Sequence, residues 1–296
     1  MQTKRQIRDL LSSSGVSPNK RLGQHFLIDL NLMRLLVDSA NIQKDDVVLE
    51  VGCGTGSMTE ALAEKAGRVI AVELDKNLSE IAANQLAESE NIEIINTDIL
   101  ENKNTLNQTV TKALDLAVRK CPGRMLLIAN LPYSAASPVI MNLITGPTTA
   151  DGMYVTVQKE VADRMTAAPA SSNYGILSIF MAAAGDVKTI RTLKPAVFWP
   201  QPQVDSAMVC FIRNQEKSER IENMELFSET VHLFMGHRRK TLSSCSKLAR
   251  GKLEKINNWK EIFEQCSICP TQRPETLSHD NYIAIANCAG NSLFLY

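Results

Sequence analysis

Val47-Val48-Leu49-Glu50-Val51-Gly52-Cys53-Gly54-Thr55-Gly56 decides the fold of this chain. A run of strand-forming apolar residues passes directly into three glycines at alternating positions, and a helical pattern begins at Thr59. Glycine lets a backbone turn sharply and approach a ligand where a Cβ would clash. The next strand pattern, Arg68 to Val72, is followed by Glu73, 21 residues after Gly52. At that spacing a carboxylate can accept hydrogen bonds from ribose hydroxyls, so a nucleoside-containing ligand is expected across the strand ends.

Two ligand classes compete for this geometry. A nicotinamide dinucleotide site calls for glycine at position 57, which is Ser57, and a pyrophosphate sits poorly beside Glu50. S-Adenosyl-L-methionine fits better, because it carries an ammonium and a sulfonium but no phosphate. Asp98, just past the strand pattern Ile92 to Asn96, is placed to accept from the adenine amine.

Working outward, strand patterns at Met125 to Ala129 and Tyr154 to Val157 alternate with helical ones at Thr59 to Lys65, Leu78 to Ala87, Thr105 to Arg119 and Pro138 to Ile144. An earlier helix is expected from Asp29, an N-cap residue, with Leu32, Leu35 and Leu36 at helical spacing. Alternation of this kind predicts an α/β fold with a mostly parallel sheet covered on both faces. Two later strands, Val187 to Leu193 and Ala207 to Ile212, flank a proline-rich stretch and are expected to close the sheet as a hairpin-like pair. After Asn214 the β patterns stop and helical periodicity resumes, which sets domains at 1–213 and 214–296.

Asn130-Leu131-Pro132-Tyr133 follows the fourth strand, at the rim where open α/β sheets bind ligands. An exocyclic aromatic amine is a poor nucleophile because its lone pair is delocalised into the ring. The Asn130 side-chain oxygen and the Leu131 carbonyl offer two acceptors for its N–H groups, which favours a more tetrahedral nitrogen with its lone pair aimed at a methyl donor. Pro132 fixes the turn, and Tyr133 supplies a π-face for the base and for a nearby sulfonium. Positioning and electrostatics then carry the rate, without a histidine or carboxylate base.

With these motifs in place, the chain resembles the ribosomal RNA adenine N6,N6-dimethyltransferases, within them the small-subunit branch. Arg21-Leu22-Gly23-Gln24-His25-Phe26-Leu27, Glu50 to Gly56, Glu73, Asp98 and Asn130 to Tyr133 match the family's motifs in order. Val157 to Val161, Tyr174 to Ser178, Phe198-Trp199-Pro200-Gln201-Pro202-Gln203-Val204-Asp205-Ser206 and His237-Arg238-Arg239-Lys240-Thr241-Leu242 continue the series. The resemblance implies a Rossmann-like, S-adenosylmethionine-dependent methyltransferase domain with a small all-α C-terminal domain. It also implies a cofactor site of His25, Leu27, Gly52, Glu73, Asp98 and Asn130. Asn130, Leu131, Pro132 and Tyr133 become the catalytic corner, with Phe198 stacking on the target adenine opposite Tyr133. The implied partner is small-subunit ribosomal RNA or the pre-ribosomal small subunit, contacted by Arg238, Arg239 and Lys240. Departures from the pattern are His25, where many relatives have Asn, Cys53, where Pro is frequent, and a longer segment from Glu101 to Gly123.

Two other readings are open. Large-subunit adenine methyltransferases lack the Phe198 to Val204 version followed by His237 to Thr241. A non-catalytic RNA-binding assembly factor would have no need of intact Glu73, Asn130, Pro132 and Tyr133.

Composition narrows the setting. At 296 residues and 44% hydrophobic, the chain is long enough for two domains, and no apolar run approaches the ~20 residues of a membrane span. The N-terminus has no apolar core of the kind a secretory signal needs, and seven cysteines without a compact framework suit a reducing compartment, so a cytoplasmic monomer is expected. Cys266-Ser-Ile-Cys269 lacks a second ligand pair, and no metal is expected. The 32 basic and 32 acidic residues cancel, which excludes a uniformly basic surface. The zero conceals two basic runs. Residues 1–21 carry five cations against Asp9 (+4), and 236–252 carry six with no acid (+6), a distribution expected to face RNA.

Overall fold

The computed structural model of the chain describes residues 1–19 and 22–293. Lys20 and Arg21, part of the N-terminal basic run, lie outside the described residues. Two compact units emerge, one of residues 1–162 with 188–212, the other of 163–187 with 213–296.

The first unit opens with α1 (Lys4–Ser13), β1 (Phe26–Leu27) and α2 (Leu30–Ser39). Alternating elements follow: β2 (Val47–Val51), α3 (Ser57–Ala63), β3 (Arg68–Glu73), α4 (Lys76–Gln85) and β4 (Ile92–Asn96). A small pair, β5 (Leu100–Asn102) and β6 (Thr105–Leu106), leads to α5 (Gln108–Lys120), β7 (Met125–Asn130), α6 (Ala136–Thr145) and β8 (Gly152–Gln158). The chain crosses to the second unit within α7 (Lys159–Met165), forms α8 (Ile176–Ala184), and returns within β9 (Gly185–Leu193), β10 (Phe198–Trp199) and β11 (Ser206–Arg213).

The seven-stranded sheet runs β4-β3-β2-β7-β8-β11-β9. Its first five strands pair in parallel, and β11 adds antiparallel to β8. All five residues of β2 are buried, as expected for a strand covered on both faces, whose near-continuous apolar run replaces alternation. Successive strands leave β2 in opposite directions, to β3 on one side and β7 on the other. That reversal opens a crevice at the carboxyl ends of both, where α/β sheets bind ligands. Two flanking helices are started by side-chain caps: the Asp29 carboxylate accepts from the amides of Asn31 and Leu32 at the head of α2, and Asp75 from those of Asn77 and Leu78 at the head of α4.

The second unit is helical: α8, α9 (Gln215–Glu219), α10 (Met224–Gly236), α11 (Leu242–Ser246), α12 (Trp259–Gln265) and α13 (His279–Leu293). Its core is aromatic. Phe180 meets Phe227 edge-on at 5.0 Å, and Phe234 meets Trp259 at 5.7 Å. The sequence boundary at 213/214 leaves residues 163–187 with the first domain, whereas here they pack with the helices. Their apolar side chains and polar tips explain this: the Tyr174 hydroxyl donates to Leu277 O at 2.8 Å, the Ala170 amide to Glu275 O, and Phe180 packs on Phe227. The helix expected from Thr105 starts instead at Gln108, because Asn107 caps it through the Thr109 amide and Thr105–Leu106 is drawn into the β5–β6 pair.

Candidate active site

The glycine loop after β2 holds three left-handed residues, Gly52, Gly54 and Gly56. A Cβ on Gly52 would lie 3.1 Å from Pro132 Cγ, and one on Gly54 would lie 2.9 Å from Phe26 Cε1. Both neighbours belong to segments that wall a cavity of about 310 Å³ at the carboxyl ends of β2, β3, β4 and β7. The loop is tied to the next strand by the Gly54 amide, which donates to Glu73 Oε2 at 2.8 Å, while Glu73 Oε1 accepts from the Asp75 amide at 2.9 Å.

Two of the three acids that line this cavity, Glu50 and Glu73, are buried. Burial raises the Glu73 carboxyl above the ordinary range, against the opposing pull of the Asp75 and Gly54 amides. Burial pushes Glu50 further, up to about 8, with the nearby Glu73 charge acting in the same direction. The Thr59 hydroxyl lies near enough to favour the charged form of Glu50, but outside hydrogen-bond geometry. Glu50 Oε2 consequently has no hydrogen-bond partner among the described residues. A carboxylate oxygen buried without a donor is costly, and a cationic ligand group in the cavity would relieve it.

The segment from Leu22 to Leu27 crosses these strand ends. Gln24 pins it by donating to Asp75 Oδ2 at 3.1 Å, and β1 pairs antiparallel with β10, Leu27 opposite Phe198. His25 Nδ1 lies 2.6 Å from the carbonyl oxygen of Pro200, which can only accept. Nδ1 therefore carries a proton and donates it to that carbonyl. The His25 ring stands 5.4 Å from that of Tyr133, tilted by 32°.

Asn130 ends β7, and its side chain is held from two sides: Nδ2 donates to His25 O at 2.7 Å, and Oδ1 accepts from the Thr156 hydroxyl. The Leu131 amide donates to Thr156 O at 3.1 Å. Tyr133 is half-buried, its hydroxyl 2.8 Å from Ser206 Oγ, and burial raises its pKa.

His25, Leu27, Gly52, Glu73, Asp98, Asn130, Leu131, Pro132 and Tyr133 thus all wall one cavity. Phe198 does not. It is 1% exposed and packs in the core with Leu27, Leu36 and Met208, while its neighbour Trp199 stacks on Phe26 at 6.1 Å. The residues that sequence reasoning missed are the second layer: Thr156, Ser206 and the Pro200 carbonyl. Thr156 left a signal, as the one polar residue inside the otherwise apolar run Met153 to Val157.

Arg238, Arg239 and Lys240 belong to the helical unit, exposed in the turn after α10. Lys252, from the same basic run, is ion-paired with Glu225. The two cysteines of the Cys-x-x-Cys stretch diverge, Cys266 facing Cys288 at 3.6 Å and Cys269 facing the Thr271 hydroxyl. Among the described residues no helix is long and apolar enough to cross a membrane, and no three His, Cys, Asp or Glu side chains are grouped to hold a metal.

Comparison with known proteins places this geometry. The family model described as Ribosomal RNA adenine dimethylase matches residues 15–284. The protein called Ribosomal RNA small subunit methyltransferase A from Geobacillus sp. (strain WCH70) is 35% identical over 284 residues, 95% of this chain and 94% of the relative. Its namesake from Alkaliphilus oremlandii (strain OhILAs) is 37% identical over 270 residues, 91% of each chain. The fold is shared with a dimethyladenosine transferase from Plasmodium falciparum (TM-score 0.68, 22% identity, 86% of this chain and 94% of that one). It is also shared with the 23S rRNA methyltransferase ErmE (TM-score 0.62, 20% identity, 90% and 99%). The chain therefore belongs to the ribosomal RNA adenine dimethylase family.

Proposed function

We propose that this chain transfers two methyl groups from S-adenosylmethionine to N6 of adenosine in small-subunit ribosomal RNA, as a cytoplasmic monomer acting during small-subunit assembly. The observation that carries the reading is that the Asn130 to Tyr133 corner and the acids Glu50 and Glu73 wall the same cavity. The names of the curated relatives support small-subunit RNA over the large-subunit alternative.

The residues present fit the cofactor. Glu50, with one oxygen unpartnered and buried, suits its ammonium, and glycine at 52 and 54 lets the loop pack against Pro132 and Phe26, which wall the same cavity. Glu73 has spent one acceptor site on each oxygen, so two remain for ribose hydroxyls, and Asp98 offers acceptors to the adenine amine beside the one it gives to the Leu100 amide. When bound, S-adenosylmethionine supplies an electrophilic methyl group on a sulfonium.

The chain's own part is to present the nucleophile. The second lone pair of Asn130 Oδ1 and the Leu131 carbonyl accept the N–H groups of the target amine, turning the nitrogen lone pair out of the ring plane. The Tyr133 ring holds the base, with its hydroxyl fixed by Ser206. Alignment in a site partly closed to water supplies the rate, and the amine releases its proton once it carries a full charge. The exposed cations Arg238, Arg239 and Lys240 bind RNA backbone.

The test is incubation of the chain with methyl-labelled cofactor and small-subunit RNA or precursor particles, followed by nucleoside analysis. Label is expected in N6,N6-dimethyladenosine. Cofactor binding with no label in any ribosomal substrate would refute the reading.

A further inference from the structure

The catalytic corner depends on a residue outside its own motif. Thr156 lies in β8 directly opposite Asn130 of β7 and is 1% exposed, inside a strand that is otherwise apolar at its centre. Strand formation does not ask for its hydroxyl, since valine has the same shape and a comparable β preference. Burying a hydroxyl has a cost unless it is hydrogen-bonded. Here it is bonded, and to a functional atom: Thr156 Oγ1 donates to Asn130 Oδ1.

The direction of this bond follows from the other side of the amide. The His25 carbonyl can only accept, so the Asn130 nitrogen must face it, which turns Oδ1 toward Thr156 and requires the hydroxyl to donate. The backbone of the same residue reaches the next position, where Thr156 O accepts from the Leu131 amide at 3.1 Å. That bond fixes the plane of the Asn130–Leu131 peptide, and so the backbone from which the Leu131 carbonyl projects. One residue thereby holds the Asn130 side-chain oxygen directly and anchors the backbone that leads to the Leu131 carbonyl. Two other buried threonines are a contrast: the hydroxyls of Thr59 and Thr230 have no hydrogen-bond partner among the described residues.

We infer that Thr156 is a positioning residue for methyl transfer, holding the Asn130 amide oxygen and the Leu131 peptide in the arrangement that receives an adenine N6 amine. The inference rests on the proposed activity for its kinetic consequence, and on geometry alone for its structural one. The consequence is greatest in the second transfer. A monomethylated amine has one N–H left, so one acceptor must hold it unaided, and a loosely held Asn130 is expected to fail there first.

Thr156→Val removes the hydroxyl at nearly constant volume, Thr156→Ser retains it, and Thr230→Val controls for loss of a buried hydroxyl elsewhere. Thr156→Val is expected to lower kcat about 10- to 100-fold, to raise the ratio of monomethyl to dimethyl product, and to leave cofactor Kd within about twofold of wild type. Thr156→Ser should restore kcat to within about threefold, and Thr230→Val should be unaffected. Nitrogen-15 NMR of the Asn130 side-chain NH2 adds a readout independent of turnover: two resolved, exchange-protected protons in the wild type and in Thr156→Ser, and faster exchange in Thr156→Val. Wild-type kinetics and product ratio in Thr156→Val, or a folded Thr156→Ser as impaired as Thr156→Val, would overturn the inference. Should the valine variant fail to fold, the serine variant and the wild-type NH2 exchange decide the question. Wild-type chain inactive on every ribosomal RNA would instead count against the proposed activity, and the NH2 exchange pattern would still judge Thr156.

Discussion

The Gly54 amide donates to Glu73 Oε2 at 2.8 Å, so the loop that follows β2 is fastened to the carboxylate that ends β3. One side chain thus shapes the loop and faces the cavity. Glu73→Ala should weaken cofactor binding at least 100-fold and, by leaving two amides without their acceptor, lower stability by about 1–3 kcal/mol. Calorimetric titration and melting curves measure both effects, and RNA affinity should be retained.

Gly54→Ala would force a β-carbon onto a backbone with φ of 59° and to within 2.9 Å of the Phe26 ring. The left-handed conformation alone costs about 1–2 kcal/mol. Phe26 has limited room to yield, since it stacks on Trp199. Denaturant unfolding should show at least that loss, together with weaker cofactor binding.

Glu50 carries a pH dependence. Burial pushes its carboxyl from an ordinary 4.5 up to about 8, so between those values the folded chain holds a proton that the unfolded chain has released. Stability from this group is full below the lower value and is lost as pH rises through the upper one. Melting temperature should fall across that window in the wild type and more weakly in Glu50→Gln. Cofactor binding near neutral pH should release a proton, because an ammonium favours the ionised acid. Calorimetry in buffers of different ionisation enthalpy detects it, and equal slopes in both chains would contradict the assignment.

Tyr133 and Phe198 should behave differently. Loss of a stacking face costs about 1–3 kcal/mol, so Tyr133→Ala should reduce methyl transfer about 5- to 150-fold, with Tyr133→Phe much milder. Phe198→Ala excavates the core and should cost about 3–5 kcal/mol of stability. A stable Phe198→Ala chain with selectively lost turnover would return Phe198 to the substrate.

Charge on the helical unit should be read by salt. Replacing Arg238 and Arg239 by alanine should weaken RNA binding and reduce the slope of log affinity against log salt by about 1.4–1.8. Cofactor affinity should not change. An unaltered slope would remove these arginines from the RNA-facing surface.

Much of this was legible in the residues because backbone and chemistry impose the same requirement there. The loop from Gly52 to Gly56 needs left-handed turns, which glycine alone supplies without strain, and the central parallel strands β2, β3, β7 and β8 announce themselves as mostly apolar, buried runs. Contacts that depend on long-range packing left fainter traces. Phe198 sits in the stretch whose Pro200 carbonyl and Ser206 hydroxyl hold His25 and Tyr133, yet pairing with Leu27 turns it into the core. Thr156 and Ser206 act on the catalytic corner from strands distant in sequence, so no local spacing reveals their partners. The 163–187 segment follows the β pattern in order but packs by its aromatic residues with the helices.

The most direct test is to map N6,N6-dimethyladenosine in small-subunit ribosomal RNA from cells with and without this chain. The modification should be present with it, absent without it, and restored by the wild-type chain far better than by Tyr133→Ala. Unchanged dimethyladenosine in its absence, with no transfer by the purified chain, would contradict the proposed activity.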